Sequence, residues 1–338
     1  MVHCAPTFQN FNKDLPSDSP VIDVLCMGRS SIDLYAHEIG VPITGVKSFD
    51  AYVGGCPLNV SVGTRRLGLR SGLLTAVGTD QVGDFVLEFL RREQVNVESI
   101  PRIPERRTSA VIMAIEPPDR FPLTFYRDNC ADLGLTIDHV RAAPLTDSRI
   151  VFLSGTGLSE EPSRTATLFA AESARASGCT VVVDIDYRPG LWPSADAFGA
   201  NLRALLKHAH LAIGTEEEVI AASGARDDRE GGKYLLDLGL PALILKRGAR
   251  GATVCRRGEN PVAVPPFRVE VLNVLGAGDA FASGFLFGQV AGWTLEESAR
   301  FGNATGAIVV TRHGCANFMP TMPEVHDFFE AQGAPLPR

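Results

Sequence analysis

Short apolar runs alternate with amphipathic stretches along most of this chain, and this rhythm limits the fold that it can adopt. The apolar runs, which we interpret as buried strands, lie at 21–27, 71–77, 149–153, 180–184, 210–213 and 242–246. Helical spacing marks the stretches at 57–67, 82–94, 163–177, 216–222, 232–238, 277–290 and 295–311. This order predicts an α/β fold with a mostly parallel sheet covered by helices on both faces. In such folds ligands bind at the carboxyl ends of the strands.

Two regions interrupt the alternation. Residues 39–53 and 108–127 contain short apolar runs and turn residues, which are typical of β structure without helices. We expect them to form a small β lid over the carboxyl edge of the main sheet, inserted in one domain that spans 21–330. Residues 1–20 mix polar residues with prolines and are interpreted as a flexible leader.

Composition and charge exclude several classes of protein. The 338 residues carry 32 Lys and Arg against 39 Asp and Glu, and no basic run stands out, so we expect no nucleic-acid partner. The seven cysteines show no Cys-x-x-Cys spacing, which argues against a zinc site and a disulfide framework. We see neither a signal-peptide pattern nor an apolar stretch long enough to span a bilayer. We therefore predict a cytoplasmic protein that does not engage membranes.

The stretch that begins at Asn273, Asn-Val-Leu-Gly-Ala-Gly-Asp-Ala-Phe-Ala-Ser-Gly, combines two kinds of chemistry. Gly276 and Gly278 allow a turn whose N–H groups point the same way, and such a turn before a helix binds anions. Asp279 follows at once and offers a carboxylate that accepts protons. An anion cradle beside a proton acceptor is what phosphoryl transfer to an alcohol requires.

Two other phosphate-binding motifs do not fit the sequence. The dinucleotide fingerprint requires a glycine three residues after Gly278, where Phe281 stands. The Walker pattern requires Ser or Thr after Gly-Lys, but Gly232-Lys233 is followed by Tyr234. A nicotinamide-dependent dehydrogenase is therefore disfavoured.

A second glycine signal lies at 54–59, which reads Gly-Gly-Cys-Pro-Leu-Asn. Gly54 and Gly55 let another molecule approach the backbone closely, and Asn59 offers both donors and an acceptor to a polyol. Taken alone, the stretch is equally typical of an ordinary junction between a loop and a helix. Cys56 within it is interpreted as small apolar packing.

Together, the two glycine signals resemble the ribokinase-like (PfkB-type) family of carbohydrate kinases. That family carries a Gly-Gly…Asn motif in its first half and a Gly-Ala-Gly-Asp motif in its last third, as this chain does at 54–59 and 276–279. The resemblance covers 21–320 and implies a three-layer α/β/α sandwich with a small β lid. It further implies that the protein binds ATP and Mg²⁺, and that a monovalent cation such as K⁺ binds near the structural loop of His313 and Cys315. Lids of this family often pair, which implies a homodimer.

The resemblance assigns roles to individual residues. The backbone of Gly276, Ala277 and Gly278 is expected to bind the migrating phosphoryl group, and Asp279 to take the proton of the substrate hydroxyl. The positions expected to contact the sugar are Asp33, Gly54, Gly55 and Asn59. The positions expected to border the nucleotide are Lys246, Gly248, Gly251 and Asn303.

Three positions depart from the family pattern. The family often has Asn-x-x-Glu before a helix; here Thr215 replaces the Asn, while Glu218 keeps the acid that reaches magnesium through water. The family also often has Asp-x-Asn-x-Arg, and here Asp186 replaces the amide that would meet phosphate. Because an unscreened carboxylate there would repel ATP, we expect Asp186 to act through metal, water or Arg188. Leu275 stands where the family usually has Thr.

Finer resemblance indicates one subgroup of the family, whose members phosphorylate the terminal (C6) hydroxyl of 5-dehydro-2-deoxy-D-gluconate in myo-inositol catabolism. The stretches that carry it are 28–35, 125–132, 184–188, 273–279 and 312–316. Such a substrate carries a carboxylate, which a planar guanidinium suits. Arg127 in the predicted lid is the stronger candidate to bind it, and Arg29 after the first strand is the weaker one.

Two alternatives stay open. The same chemistry can act on another small sugar or sugar acid, such as 2-keto-3-deoxygluconate or fructose. A non-catalytic sensor of sugar or nucleotide is more remote, because such a protein has no need of the aspartate in Gly-Ala-Gly-Asp. Substrate profiling with an assay for ADP separates these alternatives.

Overall fold

The computed structural model describes residues 22–116, 121–313 and 315–337. The predicted leader at 1–20 lies outside these residues, and so does the part of the predicted lid at 117–120. The described strands are β1 (Ile22–Met27), β2 (Ser31–Ile39), β3 (Phe49–Gly54), β4 (Ser71–Leu74), β5 (Ser109–Ile115), β6 (Leu123–Tyr126), β7 (Ser148–Ser154), β8 (Thr180–Asp184), β9 (Leu211–Thr215), β10 (Ala242–Lys246), β11 (Ala252–Arg256) and β12 (Val262–Val264). The described α-helices are α1 (Cys56–Arg66), α2 (Gln81–Arg92), α3 (Ile137–Ala142), α4 (Ser163–Ala176), α5 (Ala195–Leu206), α6 (Glu216–Ser223), α7 (Asp228–Asp237), α8 (Ala277–Val290), α9 (Leu295–Val309) and α10 (Met322–Ala331).

The main sheet has the strand order β12-β11-β10-β9-β8-β7-β1-β4. The neighbours from β10 to β4 pair in parallel, whereas β11 and β12 pair antiparallel at one edge. The parallel strands are short and apolar because helices cover both of their faces; all six residues of β1 are buried. The predicted mostly parallel sheet is confirmed.

Helices lie on both faces of the main sheet, which gives the predicted three layers. On one face, Ala166 of α4, Phe198 of α5 and Leu235 of α7 join a single apolar core. On the other face, a second core contains residues of α1, α2, α8 and α9, including Val60 and Phe285. Each predicted strand and helix lies within a few residues of an observed one, but the prediction omits β2, β11, β12, α3, α5 and α10.

A second, small sheet has the order β3-β2-β5-β6. Its strand β2 pairs antiparallel with β3 and parallel with β5, and β5 pairs antiparallel with β6. β2 begins at Ser31, directly after the carboxyl end of β1, so the small sheet starts well before the predicted lid boundary at residue 39. One face of β2 therefore presents its side chains, Asp33 among them, at the carboxyl edge of the main sheet.

Close packing of α1 against α8 brings two distant parts of the chain together. A Cβ atom added to Gly63 of α1 would lie 2.2 Å from Oγ of Ser283 in α8, so the glycine permits this contact. One turn earlier on the same faces lie Asn59 and Asp279. Within the described ranges, no helix is long and apolar enough to cross a membrane.

Candidate active site

The Gly-Ala-Gly-Asp motif forms the start of α8. Gly276 has φ 74°, a left-handed conformation that favours glycine, and directly precedes the helix. Ala277, Gly278 and Asp279 are the first three helical residues, where backbone N–H groups lack partners within the helix. These N–H groups and the positive end of the helix dipole make the turn suited to an anion.

Asp279 is held by α1. Nδ2 of Asn59 donates a hydrogen bond of 2.7 Å to Oδ2 of Asp279, and the Cys56 thiol donates another to the same side chain. Burial and the charge of Asp186 raise the pKa of Asp279, while these two hydrogen bonds oppose the rise. Oδ1 of Asn59 is buried and has no hydrogen-bond partner in the described part of the chain. A ligand hydroxyl at this point would satisfy it.

A hydrogen-bond chain leads along β2 to a second carboxylate. Nη1 of Arg29 donates to Oγ of Ser31 at 2.8 Å, and Ser31 donates to Oδ1 of Asp33 at 2.7 Å. Burial raises the pKa of Asp33, and the charge of Asp279 adds to the rise, whereas Arg29 opposes it. Asp33 and Asp279 therefore lie close enough in the cleft to influence each other.

Gly54 and Gly55 line the same region with bare backbone. A Cβ atom on Gly54 would lie 1.9 Å from Oδ2 of Asp33, so only glycine fits beside that carboxylate. Gly55 has φ 109°, and a Cβ there would lie 2.4 Å from the carbonyl oxygen of Arg29. The structure thus brings the predicted sugar contacts Asp33, Gly54, Gly55 and Asn59 together around Asp279.

Arg29 is buried but has spare hydrogen-bonding capacity. It is 9% exposed, and its guanidinium lies 5.4 Å from the ring centroid of Phe125 in β6. It donates to a neutral acceptor, the Ser31 hydroxyl, and the described residues place no carboxylate within the 4.0 Å of an ion pair. A buried guanidinium in this state suits an anionic ligand.

Arg127 has a different environment from the one predicted. Nε and Nη2 donate to Oδ2 of Asp132 at 2.8 and 2.6 Å, and Nη1 donates to the carbonyl oxygen of Thr156 and to Oγ of Ser159. The side chains of Arg127 and Asp132 are 3% and 1% exposed. All three nitrogens of this guanidinium are bonded to protein, which leaves Arg127 fewer free donors for a substrate carboxylate than Arg29 has.

A cluster of charges lies where β8 and β10 end. Nζ of Lys246 lies 3.2 Å from Oδ2 of Asp184 and 3.9 Å from Oε2 of Glu218. Burial raises the pKa of Asp184 to about 7, with Lys246 opposing and Glu218 adding to the rise. Burial alone would lower the pKa of Lys246, but the two acids outweigh it and keep the amine charged. A Cβ atom on Gly278 would lie 3.3 Å from Nζ, so this cation lies against the anion-binding turn of α8.

Asp186 and Arg188 form an ion pair at the same edge. Oδ1 of Asp186 lies 2.9 Å from Nη2 of Arg188, and Oδ2 accepts hydrogen bonds from the hydroxyls of Ser154 and Thr156. Burial would raise the pKa of Asp186, but Arg188 and the Ser154 bond outweigh it, so the pKa is lowered. The charges of Asp186, Glu218 and Asp279 in turn raise the pKa of Arg188. Arg188 therefore faces the same cleft as Asp279.

The remaining predicted nucleotide residues lie around β10 and α9. Gly248 and Gly251, at φ 54° and 83°, form the turn between β10 and β11 directly after Lys246. Asn303 of α9 donates to the carbonyl oxygens of Val264 and Pro265, so its amide is already bonded to the chain that follows β12. Glu218 accepts a hydrogen bond from the backbone N–H of Thr215 at 2.7 Å and so caps α6.

Sequence reasoning missed several residues of the cleft. Cys56 packs in an apolar core, as expected, but its thiol also bonds to Asp279. Cys315 accepts a hydrogen bond from Tyr35, and the nearby charges of Asp33 and Asp279 join burial in raising the pKa of its thiol. Ser109 of β5 stands opposite Ser31 of β2, on the face that carries Asp33, and its buried hydroxyl has no partner among the residues described. The alternation of β2 and β5 was the signal that could have found Tyr35 and Ser109.

This geometry agrees with the comparisons with known proteins. Residues 21–322 match the pfkB family of carbohydrate kinases, and the chain belongs to that family. It is therefore a phosphotransferase that acts on a sugar hydroxyl. Two curated relatives are named 5-dehydro-2-deoxygluconokinase. The protein of Shouchella clausii is 32% identical over 92% of this chain and 96% of its own length. The protein of Clostridium perfringens is 31% identical over 92% of this chain and 93% of its own length.

Solved structures show the same ribokinase-like α/β fold. Fructokinase from Xylella fastidiosa with bound ATP is 26% identical, with a TM-score of 0.83 over 92% of this chain and 99% of its own. An Escherichia coli protein described as ribokinase II, in complex with ATP and Mg²⁺, is 23% identical, with a TM-score of 0.83 over 92% and 100%. A fructokinase double mutant from Vibrio cholerae, with fructose, ADP and potassium bound, is 24% identical, with a TM-score of 0.81 over 92% and 99%.

Proposed function

We propose that this protein transfers the γ-phosphoryl group of ATP to the terminal (C6) hydroxyl of 5-dehydro-2-deoxy-D-gluconate, a step of myo-inositol catabolism. The observation that carries the proposal is the position of Asp279, which is bonded to Asn59 at the start of α8, where Lys246 also lies. A proton acceptor thus stands beside an anion site. The names of the relatives support this substrate, and the cytoplasm stays the predicted location.

The proposed reaction is an in-line displacement. Asp279 accepts the proton of the sugar hydroxyl while that oxygen bonds to the γ-phosphorus, and the bond between this phosphorus and the β,γ-bridging oxygen breaks to release ADP. The raised pKa of Asp279 suits this task because it brings the proton affinity of the carboxylate closer to that needed near neutral pH. Asn59 holds the carboxylate, and the N–H groups of 276–279 are proposed to stabilise charge on the phosphoryl group.

The cleft fits a nucleotide that carries magnesium. Within the described ranges, no group of three His, Cys, Asp or Glu side chains can hold a metal ion by itself. Mg²⁺ binds mostly through phosphate oxygens and water, with one or two carboxylates, and Asp184 and Glu218 lie beside Lys246 to supply them. When bound, Mg²⁺ would neutralise phosphate charge, and we propose that Glu218 reaches it through water. The ATP and Mg²⁺ complex of the E. coli structure supports this assignment.

The nucleotide is proposed to lie over the turn of Gly248 and Gly251 toward Asn303. These positions follow β10, whose last residue Lys246 reaches the phosphate turn. A K⁺ site near the loop of residues 313–315 stays a prediction. It is supported by the potassium bound in the V. cholerae fructokinase. A hydrogen bond from Asn273 to the carbonyl oxygen of His313 also joins the segment before α8 to the segment that contains His313.

An acid substrate is favoured by Arg29. This guanidinium is buried, lies over Phe125 and is joined to Asp33 through Ser31, so it faces the proposed sugar site. We propose that it binds the substrate carboxylate, with the hydroxyl of Ser109 nearby. Its hydrogen bond to Ser31 uses only Nη1, so other N–H groups of the guanidinium are available to an anion.

A neutral sugar is the second candidate substrate, because the X. fastidiosa neighbour is a fructokinase. The test is the steady-state rate of ADP formation with ATP, Mg²⁺ and a panel of 5-dehydro-2-deoxygluconate, 2-keto-3-deoxygluconate and fructose. We expect the first acid to have the highest kcat/KM, and NMR to place the phosphate at C6. A higher kcat/KM for fructose would overturn the substrate assignment. Saturable binding of every sugar without ADP formation would favour a sensor.

The small sheet is proposed to act as a lid and as a dimer interface. Ile39, Phe49 and Tyr126 of the small sheet, and Ile43 beside it, are exposed by 39 to 56%. Apolar residues exposed together favour contact with a partner, and a second copy of this chain fits. Light scattering after gel filtration tests this: we expect a dimer that Phe49→Lys converts to a monomer, and a monomeric wild type would contradict it.

A further inference from the structure

A buried network joins the last strand of the small sheet to the main sheet. Arg127 follows β6 and bonds to Asp132, to the carbonyl oxygen of Thr156 at 3.1 Å and to Oγ of Ser159 at 2.9 Å. Thr156 belongs to the 3₁₀ turn after β7 (Gly155–Leu158). The side chain of Arg127 therefore fixes the backbone of a turn that lies on the other sheet.

The same turn holds Asp186. Ser154 and Thr156 donate their hydroxyls to Oδ2 of Asp186 at 2.7 and 3.2 Å, which leaves Oδ1 for Arg188 at 2.9 Å. Asp186 has φ 41°, an unfavourable conformation for a residue with a Cβ, so its bonds must hold it in place. Thr156 thus links the two ends of the network. Its carbonyl oxygen bonds to Arg127, and its hydroxyl bonds to Asp186, which pairs with Arg188.

We propose that Arg127 is a positioning residue, which fixes Arg188 through Thr156 and Asp186. The inference rests on the proposed function and adds that Arg188 binds a phosphate group of ATP. The Arg188 side chain is 44% exposed and has a long, flexible stem, whereas Asp186 is 3% exposed and rigidly bonded. A fixed carboxylate that pairs with Arg188 keeps the guanidinium at the cleft and reduces the ordering that ATP must impose on it.

The network also explains the acid at position 186. Oδ2 of Asp186 accepts two hydrogen bonds, and Oδ1 forms an ion pair with Arg188. An amide in its place offers one acceptor oxygen, and Ser154 and Thr156 would have to accept from its nitrogen instead. The neutral amide would also lose the attraction to Arg188. Asp186 therefore acts on the phosphate of ATP through its ion pair with Arg188 and does not contact the phosphate itself.

The test removes the buried pair without leaving a lone charge. Arg127→Met combined with Asp132→Leu replaces both ions by apolar side chains of similar volume, a change that buried pairs often tolerate. Calorimetric titration with ATP and Mg²⁺, without sugar, should show binding weaker by about tenfold, the loss expected for one charge-assisted hydrogen bond. Arg188→Met should show a similar loss. In the Arg188→Met background, removing the pair should cost no more than about twofold further.

The control is Arg256→Met with Glu296→Leu, a half-buried pair at the opposite end of the main sheet, which should leave ATP binding unchanged. The proposal would be overturned if the losses of ATP affinity from removing the Arg127–Asp132 pair and from Arg188→Met added fully. It would also be overturned if removing the pair left ATP binding unchanged and raised KM for the sugar acid. If the double variant does not fold, Thr156→Val removes the hydroxyl that bonds to Asp186 and Ser154, keeps the carbonyl oxygen that Arg127 bonds, and must still weaken ATP binding. The titration measures ATP binding without sugar. A wild-type protein that binds ATP but turns over no sugar would contradict the proposed function and leave this test intact.

Discussion

Nδ2 of Asn59 donates a hydrogen bond of 2.7 Å to Oδ2 of Asp279, and this bond joins the first turns of two helices separated by 220 residues. It connects the two glycine signals of the sequence, because Asn59 closes the Gly-Gly…Asn stretch and Asp279 closes Gly-Ala-Gly-Asp. The bond favours the ionised carboxylate and fixes its direction. Oδ1 of the same amide stays available to the acceptor hydroxyl.

Asn59→Leu should raise the pKa of Asp279, because the variant removes the hydrogen bond from Asn59 that opposes the effect of burial on this pKa. Asp279 must be ionised to accept a proton, so activity is lost as pH falls through its pKa, and the acid limb of kcat/KM should move to higher pH. The measurement is a pH–rate profile of both proteins. Asn201→Leu, which alters a half-buried Asn of α5, is the matched control and should leave the limb in place. An unmoved limb in Asn59→Leu would refute the coupling.

Gly63→Ala should separate α1 from α8. The new Cβ would lie 2.2 Å from Oγ and 2.7 Å from Cβ of Ser283, one turn away from the bond between Asn59 and Asp279. We expect a loss of about 1–3 kcal/mol in the free energy of unfolding, as for overpacked sites, together with lower kcat. Denaturant titration and steady-state kinetics measure the two effects.

Ser283→Gly removes the atoms that Gly63→Ala meets, so adding it should restore part of kcat. Gly232→Ala in α7 is the matched control, because its Cβ would meet nothing closer than 3.4 Å, and alanine stabilises a helix by up to about 1 kcal/mol relative to glycine. Gly63→Ala with wild-type kcat would show that the spacing of these helices does not matter for the reaction.

The sequence predicted the main sheet well because its parallel strands are buried on both faces and therefore read as unbroken apolar runs, as in β1 and β8. It did not predict β2, in which Asp33, His37 and Glu38 interrupt the apolar residues, so that the strand does not read as an apolar run. The helix α5 was also omitted, although Ser194 caps it, since its apolar positions were not recognised as a periodic set.

Arg29→Met should weaken binding of an acid substrate more than that of a neutral sugar. The guanidinium is buried without a carboxylate partner in the described part of the chain, and a charge-assisted hydrogen bond of this kind contributes about 1.5–3 kcal/mol. KM for the sugar acid should therefore rise by roughly 10–100-fold, with KM for fructose and for ATP little changed.

Arg141→Met is the control for Arg29→Met, because Arg141 also lies 5.4 Å from an aromatic ring, that of Phe169, but 65% of its side chain is exposed. It should leave every KM at the wild-type value. Equal rises for the acid and for fructose in Arg29→Met would mean that this residue shapes the site without reading the carboxylate.

Sequence reasoning could not rank the arginines of the cleft, because their roles depend on partners that fold next to them. Arg127 lies in a stretch typical of substrate contacts, yet Asp132, five residues away, pairs with it in the core. Arg29 follows β1 without any local signal, and its spare donors become visible only when Ser31, Phe125 and Asp33 are placed around it. The motif glycines were predictable because a close approach of backbones demands glycine itself.

His210 gives stability a pH dependence of known sign. Burial, and to a lesser extent Arg175, lower its pKa from 6.5 to about 4, and its neutral Nδ1 accepts from the N–H of Val181 at 3.0 Å. Between about pH 4 and pH 6.5, His210 is therefore protonated in the unfolded chain but neutral in the folded protein. The free energy of unfolding falls as pH drops from about 6.5 toward about 4. Urea unfolding at pH 7 and pH 5 should show a smaller pH-linked loss in His210→Gln than in wild type. Identical losses would contradict it.

The role of Asp279 is tested most directly by Asp279→Asn. This variant keeps the size of the side chain and removes the proton acceptor. We predict normal folding and ATP binding within about twofold, with kcat for the preferred sugar acid lower by roughly 10²–10⁴ or more, the contribution expected of a positioned base. Purified Asp279→Asn with near wild-type kcat would contradict the account, because proton transfer and the anion site would then not meet at this residue.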